Sequence, residues 1–245
     1  ITLAVILIAW TISSTQGWVS PVFLPSPLAV AKAAIGLVTT GFVDSTLFEH
    51  LGASLYRVFG ALLASLAVGV PIGIAIATSP IGRGVFDPIV EFLRPLPPLA
   101  YLPLVIIWFG IGETSKVLLI FLSVFAPIVL GARSGVKSAA IEQIHAAYSF
   151  GATRWQVMRH VILPSAMPEI LTAMRVGIGF GWTTLVAAEM VAAISGLGYM
   201  VLSASQFLQT PVVIMGIFVI ASIAFAFDLL MRFLERRLVP WKGRM

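Results

Sequence analysis

The sequence contains no cysteine, so disulfides, thiolate nucleophiles and thiolate metal sites are excluded. Histidine is nearly as scarce. His50, His145 and His160 stand far apart without ligand-like spacing, and they read as interfacial residues rather than a metal site. Charge is the third shortage: 10% of the residues are ionic, against roughly 25% in a soluble domain. A soluble chain of 245 residues could bury a core but could not cover its surface with so few charges. The solvent for most of this chain is therefore lipid. The net charge of +5 comes from bases scattered at helix ends. They form no stripe interleaved with aromatics, which argues against a nucleic-acid partner. The first residue is Ile1 rather than methionine, so an N-terminal stretch is expected to precede it, and signal-peptide logic does not apply to the start.

What is present is hydrophobic sequence, 59% of the chain. A spanning helix needs roughly 20 mostly apolar residues, and six such segments are expected. Ile1–Trp10 reads as the tail of a first span, followed by a loop-like stretch to residue 50 with a short helix near Ala29–Leu37. Further spans are expected at about Leu51–Thr78, Phe86–Trp108, Thr114–Ala132, Pro168–Ile194 and Thr210–Met231. The third is interrupted by Pro95, Pro97 and Pro98. Prolines in a span require neighbours that satisfy the freed backbone groups, which places this segment inside the bundle. Residues 1–50 then form a first helix with an external loop, and 51–245 a five-helix core that includes a polar, membrane-external segment at 137–166.

Lys and Arg set the orientation. With 137–166 and the C-terminus inside, the cytoplasmic side carries Arg83, Arg133, Lys137, Arg154, Arg159, Arg232, Arg236, Arg237, Lys242 and Arg244. The outer side keeps Lys32, Arg57 and Lys116.

Two small-residue stripes stand out. Ala61, Ser65, Gly69, Gly73 and Ala77 recur every fourth residue and share one helix face, and Gly177 and Gly181 repeat the spacing. Such faces let backbones approach closely in lipid, either as a static seam or as a contact that slides. Ionisable residues within spans are Glu91, Arg94, Arg175 and Glu189. They are costly there and are expected mainly in structural pairs, Glu91 with Arg94 being three residues apart. The interior of the fifth span, Val176–Ala188, carries no charge; its polar groups are Trp182, Thr183 and Thr184. These three, with Glu189, are candidates for a solute path that binds weakly enough to release.

Gly110-Ile111-Gly112-Glu113-Thr114-Ser115-Lys116 resembles a phosphate loop only at a glance. A true one places Lys and Ser/Thr directly after the last glycine. No catalytic residue, metal ligand or cofactor motif emerges, so the chain is not expected to be an enzyme.

The segment 137–166 is the most informative. Glu142–Ser149 reads as a short helix, Gly151 as a sharp turn, and Thr153 with Gln156 as a capping box opening a second helix. Tyr148, Phe150 and Trp155 would leave apolar surface outside the membrane, which points to a partner. The pattern His145-Ala146-Ala147, Gly151, then Val161-Ile162-Leu163-Pro164 resembles the signature loop of bacterial ABC importer permeases, with His145 where that loop has Glu and Val161 where it has Ile. Arg94-Pro95-Leu96-Pro97-Pro98-Leu99-Ala100-Tyr101-Leu102-Pro103-Leu104, Trp108–Glu113, Ala188-Glu189 and Gly196-Leu197-Gly198-Tyr199 are similar to the nitrate/sulfonate/taurine branch of that family, and the wording at Ile111–Lys116 and Pro164–Glu169 is most similar to taurine permeases.

The resemblance implies an all-α integral membrane protein with the type I ABC importer (MetI-like) fold. It implies a bacterial inner-membrane subunit, C-terminus cytoplasmic, that imports a small sulfonate, taurine first, by alternating access. The implied partners are a second copy of the chain, an ABC ATPase dimer that binds ATP and Mg, and a periplasmic solute-binding protein that sets selectivity. His145, Ala146, Ala147, Gly151, Leu163 and Pro164 would contact the ATPase. Nitrate or another aliphatic sulfonate is the alternative cargo. An ion-coupled secondary transporter is a more distant reading, because neither coupling-ion sites nor internal repeats are seen.

Overall fold

The computed structural model describes residues 2–43 and 45–241. Lys242 and Arg244 of the basic tail lie outside the described residues. Among the described residues all regular elements are helical: α1 Thr2–Thr15, α2 Pro27–Thr39, α3 Leu47–Thr78, α4 Pro80–Leu93, α5 Leu102–Phe109, α6 Glu113–Lys137, α7 Ile141–Ser149, α8 Arg154–Val157, α9 Leu163–Ala192, α10 Leu197–Gln206 and α11 Thr210–Leu238. A 3-10 turn, Pro98–Tyr101, precedes α5, and a π-helical turn, Met158–Ile162, joins α8 to α9.

The boundaries have local causes. Ser79 ends α3 and caps α4, its hydroxyl accepting the Gly82 amide at 3.3 Å, with Pro80 at the first helical position where a missing amide costs nothing. Ser26 caps α2 in the same way, with Pro27 following.

Four helices of the described chain are long and apolar enough to cross a membrane: α3, α6, the continuous 39-residue run from Arg154 to Ala192, and α11. The bent pair α4 with the Pro98–Phe109 segment makes a fifth if counted as one span. Its bend is 92°, where Pro95, Pro97 and Pro98 remove amides and Pro97, before Pro98, is extended. The single chain does not enclose this span as expected: Ile89, Phe92, Ile107 and Trp108 are exposed, while Val90 and Val105 are buried. Helix α1 has 14 residues, about 21 Å of helix against a hydrocarbon core of roughly 30 Å.

By packing, the chain divides into two units, and α3, α9 and α11 contribute residues to each. The first comprises residues 1–56 and 185–225. Its core joins Leu37 of α2 to Leu197 and Met200 of α10, with Leu47, Leu51, Val212 and Met215 around them. Trp10 donates its indole N–H to the Pro25 carbonyl at 2.9 Å.

The second unit comprises residues 57–184 and 226–245, and α6 is its centre. On one side α3 presents the first small-residue stripe: Gly69 faces Ile128 and Val129, and Gly73 faces the Val129 carbonyl and Ala132. Ser65 donates to the Phe121 carbonyl at 3.2 Å. On the other side Gly177 and Gly181 of α9 pack on Val124. Gly131 and Gly135 of α6 return the contact, against Ala173 and Ala166. Both stripes therefore hold α6 within one chain, and large neighbours such as Ile76, Phe125 and Ile170 fill the flanks.

Candidate functional site

The segment after α6 folds as a helix–turn–helix knob. Helix α7 ends at Phe150, whose amide donates to the Ala146 carbonyl at 3.1 Å. Gly151 then takes φ +81, which a residue with a Cβ adopts only with strain. Nothing lies within 4 Å of where that Cβ would stand. The glycine is required by the turn's conformation and not by crowding. Thr153 opens α8: its amide donates to Gln156 Oε1 at 2.7 Å, and the Gln156 amide donates to Thr153 Oγ1 at 3.4 Å, completing a capping box.

The knob presents apolar surface. Phe150 is 92% exposed and Trp155 68% exposed, and Ile141 and Tyr148 are exposed beside them. His145 and Ala146 are exposed on α7, whereas Ala147 is half-buried. Leu163 and Pro164, at the start of α9, are also half-buried. The one anchoring side chain of α8 is Val157, 1% exposed. The π-helical turn carries α8 directly into α9, so Trp155 and residue 183 lie on one helical run, roughly 40 Å apart at 1.5 Å per residue.

At that level the second unit holds a cavity of about 680 Å³. The proline bend Leu93–Leu99 forms one wall, α6 another through Ser123, Ala126 and Pro127, and α9 the third through Val176, Phe180, Thr183 and Thr184. Of the path candidates, Thr183 and Thr184 reach this cavity. Trp182 points elsewhere: it is buried and its ring lies 5.8 Å from that of Phe227.

Glu189 belongs to the first unit and is fully buried. There three consecutive amides at the start of α10 are each taken by a side chain. Gly196 N–H donates to His50 Nδ1 at 3.1 Å, Leu197 N–H to Ser54 Oγ at 3.0 Å, and Gly198 N–H to Glu189 Oε2 at 2.8 Å. Ser54 passes its own proton to Glu189 Oε1 at 2.8 Å. His50, accepting at Nδ1, is the tautomer that donates from Nε2 to the Phe42 carbonyl at 3.0 Å. A carboxylate suits this place because a helix N-terminus favours negative charge.

Several other charges pair. Arg57 and Lys116, 1% and 3% exposed, both hold Glu113, at 2.6 Å and 2.7 Å. Arg133 holds Asp87, and Glu91 beside it at 3.3 Å. Arg175 reaches Asp228, which also takes Arg232 at 2.8 Å. Asp228, Asp87 and Glu113 escaped the sequence reading because one partner of each, Arg175, Arg133 and Arg57 respectively, lies 46 to 56 residues away along the chain. The glycines of α6 could have been found, since Gly131 and Gly135 are a small-xxx-small pair in an apolar run.

Comparison with known proteins places this architecture. Residues 69–240 match the model of the binding-protein-dependent transport system inner membrane component. The chain is 55% identical over 245 residues to the taurine transport system permease protein TauC of Escherichia coli strain K12, covering 100% of this chain and 89% of that protein. It is 36% identical over 240 residues to the putative aliphatic sulfonates transport permease protein SsuC of Bacillus subtilis strain 168, covering 98% and 86%. A structure of the MetNI methionine ABC transporter shares the fold, with TM-score 0.63 and 18% identity over 84% of this chain and 97% of that one. With its buried seam around α6, its exposed knob and this likeness over full length, the chain belongs to the family of binding-protein-dependent transport system inner membrane components.

Proposed function

We propose that this chain is the membrane-spanning subunit of an ATP-driven importer whose cargo is taurine. The observation that carries the reading is the knob at α7 and α8, which sets Phe150 and Trp155 in the open beside a membrane bundle. Exposed aromatic surface of this kind is stabilised by a partner, and here the partner is an ATPase subunit. Two copies of the chain would frame one path, with their knobs seated on two ATPases and a periplasmic binding protein delivering cargo above. Binding of ATP draws the knobs together. The α8–α9 helix and the glycine seams of α6 transmit that movement to the cavity walls, which open alternately to the two sides. The chain contributes the path and the lever, and its partner contributes hydrolysis. The bases in the last turn of α11, Arg236 and Arg237, support a cytoplasmic C-terminus, in line with the Lys and Arg bias.

The cargo follows from the similarity to TauC over the whole chain. Another aliphatic sulfonate is the second reading, favoured by the likeness to SsuC. The test is reconstitution in vesicles with the ATPase and the binding protein. Taurine should stimulate both ATP turnover and its own uptake, and uptake should persist when ion gradients are collapsed. Uptake that follows an ion gradient without ATP would overturn the reading.

A further inference from the structure

The cavity beside the proline bend has one charged side chain in its lining, Arg94. The residue is 63% exposed and only loosely tethered, its Nη1 lying 3.9 Å from Glu91. Glu91 itself turns to Arg133 at 3.3 Å. Arg94 therefore offers the cavity a fork of donors that no strong internal pair occupies.

The opposite walls have the reverse character. Ser123 donates its hydroxyl proton to the Ile120 carbonyl at 2.7 Å, and Thr183 donates its own to the Gly179 carbonyl at 3.1 Å. A hydroxyl has one proton and two lone pairs. With the protons committed to backbone, the lone pairs of these two lining hydroxyls are left as acceptors. One wall thus donates from a cation and the others offer acceptors, in an enclosure whose remaining lining, Thr184 apart, is apolar.

We propose that Arg94, Ser123 and Thr183 form a weak zwitterion-binding waypoint within the permease: the guanidinium takes the sulfonate and the hydroxyl oxygens take the ammonium. This rests on the taurine reading above and adds recognition by the permease to selection by the binding protein. The absence of charge in the interior of the fifth span keeps the waypoint weak, and its single exposed cation lets cargo leave.

The test uses the full assembly in vesicles, with the binding protein saturated by taurine or by ethanesulfonate, which has the sulfonate without the ammonium. Cargo delivered per ATP hydrolysed is measured. Arg94→Gln should lower delivery of both cargoes about tenfold, the loss expected for one charge-assisted hydrogen bond, while ATP turnover stimulated by the binding protein stays at the parental rate. Arg94→Lys should restore most of the delivery. Ser123→Ala combined with Thr183→Val should depress taurine several-fold more than ethanesulfonate. Parental delivery by Arg94→Gln overturns the proposal, as does joint loss of ATP stimulation and transport that Lys fails to rescue, which would mark a structural role. Equal loss of the two cargoes in the double variant overturns the ammonium half. Failure of the parental assembly to deliver any sulfonate would instead sink the function proposed above.

Discussion

Ser54 sits at the junction of two needs. Its oxygen accepts the Leu197 amide and its proton goes to Glu189, all within fully buried surroundings. Ser54→Ala strands a buried amide and one carboxylate lone pair at once. Each unsatisfied group costs about 1–3 kcal/mol, so the variant should melt clearly lower in detergent than the parent. An unchanged melting temperature would mean that water replaces the hydroxyl. Gly196 in the same turn has φ +129, and a Cβ there would collide with the Glu189 carboxylate, so Gly196→Ala should be at least as damaging. Gly151 differs because its surroundings are open. Only backbone strain of about 1 kcal/mol opposes a side chain there. Gly151→Asn, which tolerates φ > 0, should keep substrate-stimulated uptake. Gly151→Val should stay in the membrane yet hydrolyse ATP without transport. Normal coupled uptake by Gly151→Val would show that the knob tolerates a remodelled turn.

At the scale of elements, the glycines of α3 and α6 act as a clamp. A Cβ at Gly73 would lie 2.5 Å from the Val129 carbonyl oxygen and 2.6 Å from Ala132 Cβ; at Gly135 it would lie 2.7 Å from the Ala166 carbonyl oxygen. Backbone cannot retreat there as a flexible side chain could. Gly73→Leu and Gly135→Leu should each lose about 1–3 kcal/mol through overpacking, with transport lost, measured as vesicle uptake beside a thermal melt. Gly60→Ala, at a site with open space, is the matched control and should behave as the parent. If both Leu variants transport normally, the seam has slack that the packing does not suggest. The four-residue spacing of the α3 stripe was legible because a single helix face repeats locally. What was not legible is which helix the face meets, since that depends on chain partners tens of residues away. Helix α10 has no counterpart among the expected spans for a related reason: Gly196 is the N-cap of a new helix, and the side chains that satisfy its first amides, His50, Ser54 and Glu189, are not all local to it. The knob was legible because its caps and turn are local, and its boundaries fall where Thr153, Gln156 and Gly151 put them.

At the scale of the whole molecule, the question is whether the knob moves the cavity. The lever is one helical run from Arg154 to Ala192, and a packed seam fixes it to α6 near Gly177 and Gly181. The direct contact of Gly177 and Gly181 with Val124 leaves little slack at the seam itself to absorb a displacement. The absence of cysteine from this sequence makes this measurable, since a single introduced thiol has no other thiol of the sequence to compete with it. Val176 lines the cavity and is 49% exposed, so Val176→Cys should accept a small polar thiol reagent. In the reconstituted assembly its labelling rate should change several-fold between the nucleotide-free state and a state trapped with ATP and vanadate, as the cavity opens to the other side. The same thiol placed in the Gly151→Val background should label at one rate in both states, because ATP turnover no longer reaches α9. A change that survives Gly151→Val would mean that the knob is not the route of coupling. A rate that never changes in the parent would mean that the wall at Val176 stands still while cargo passes.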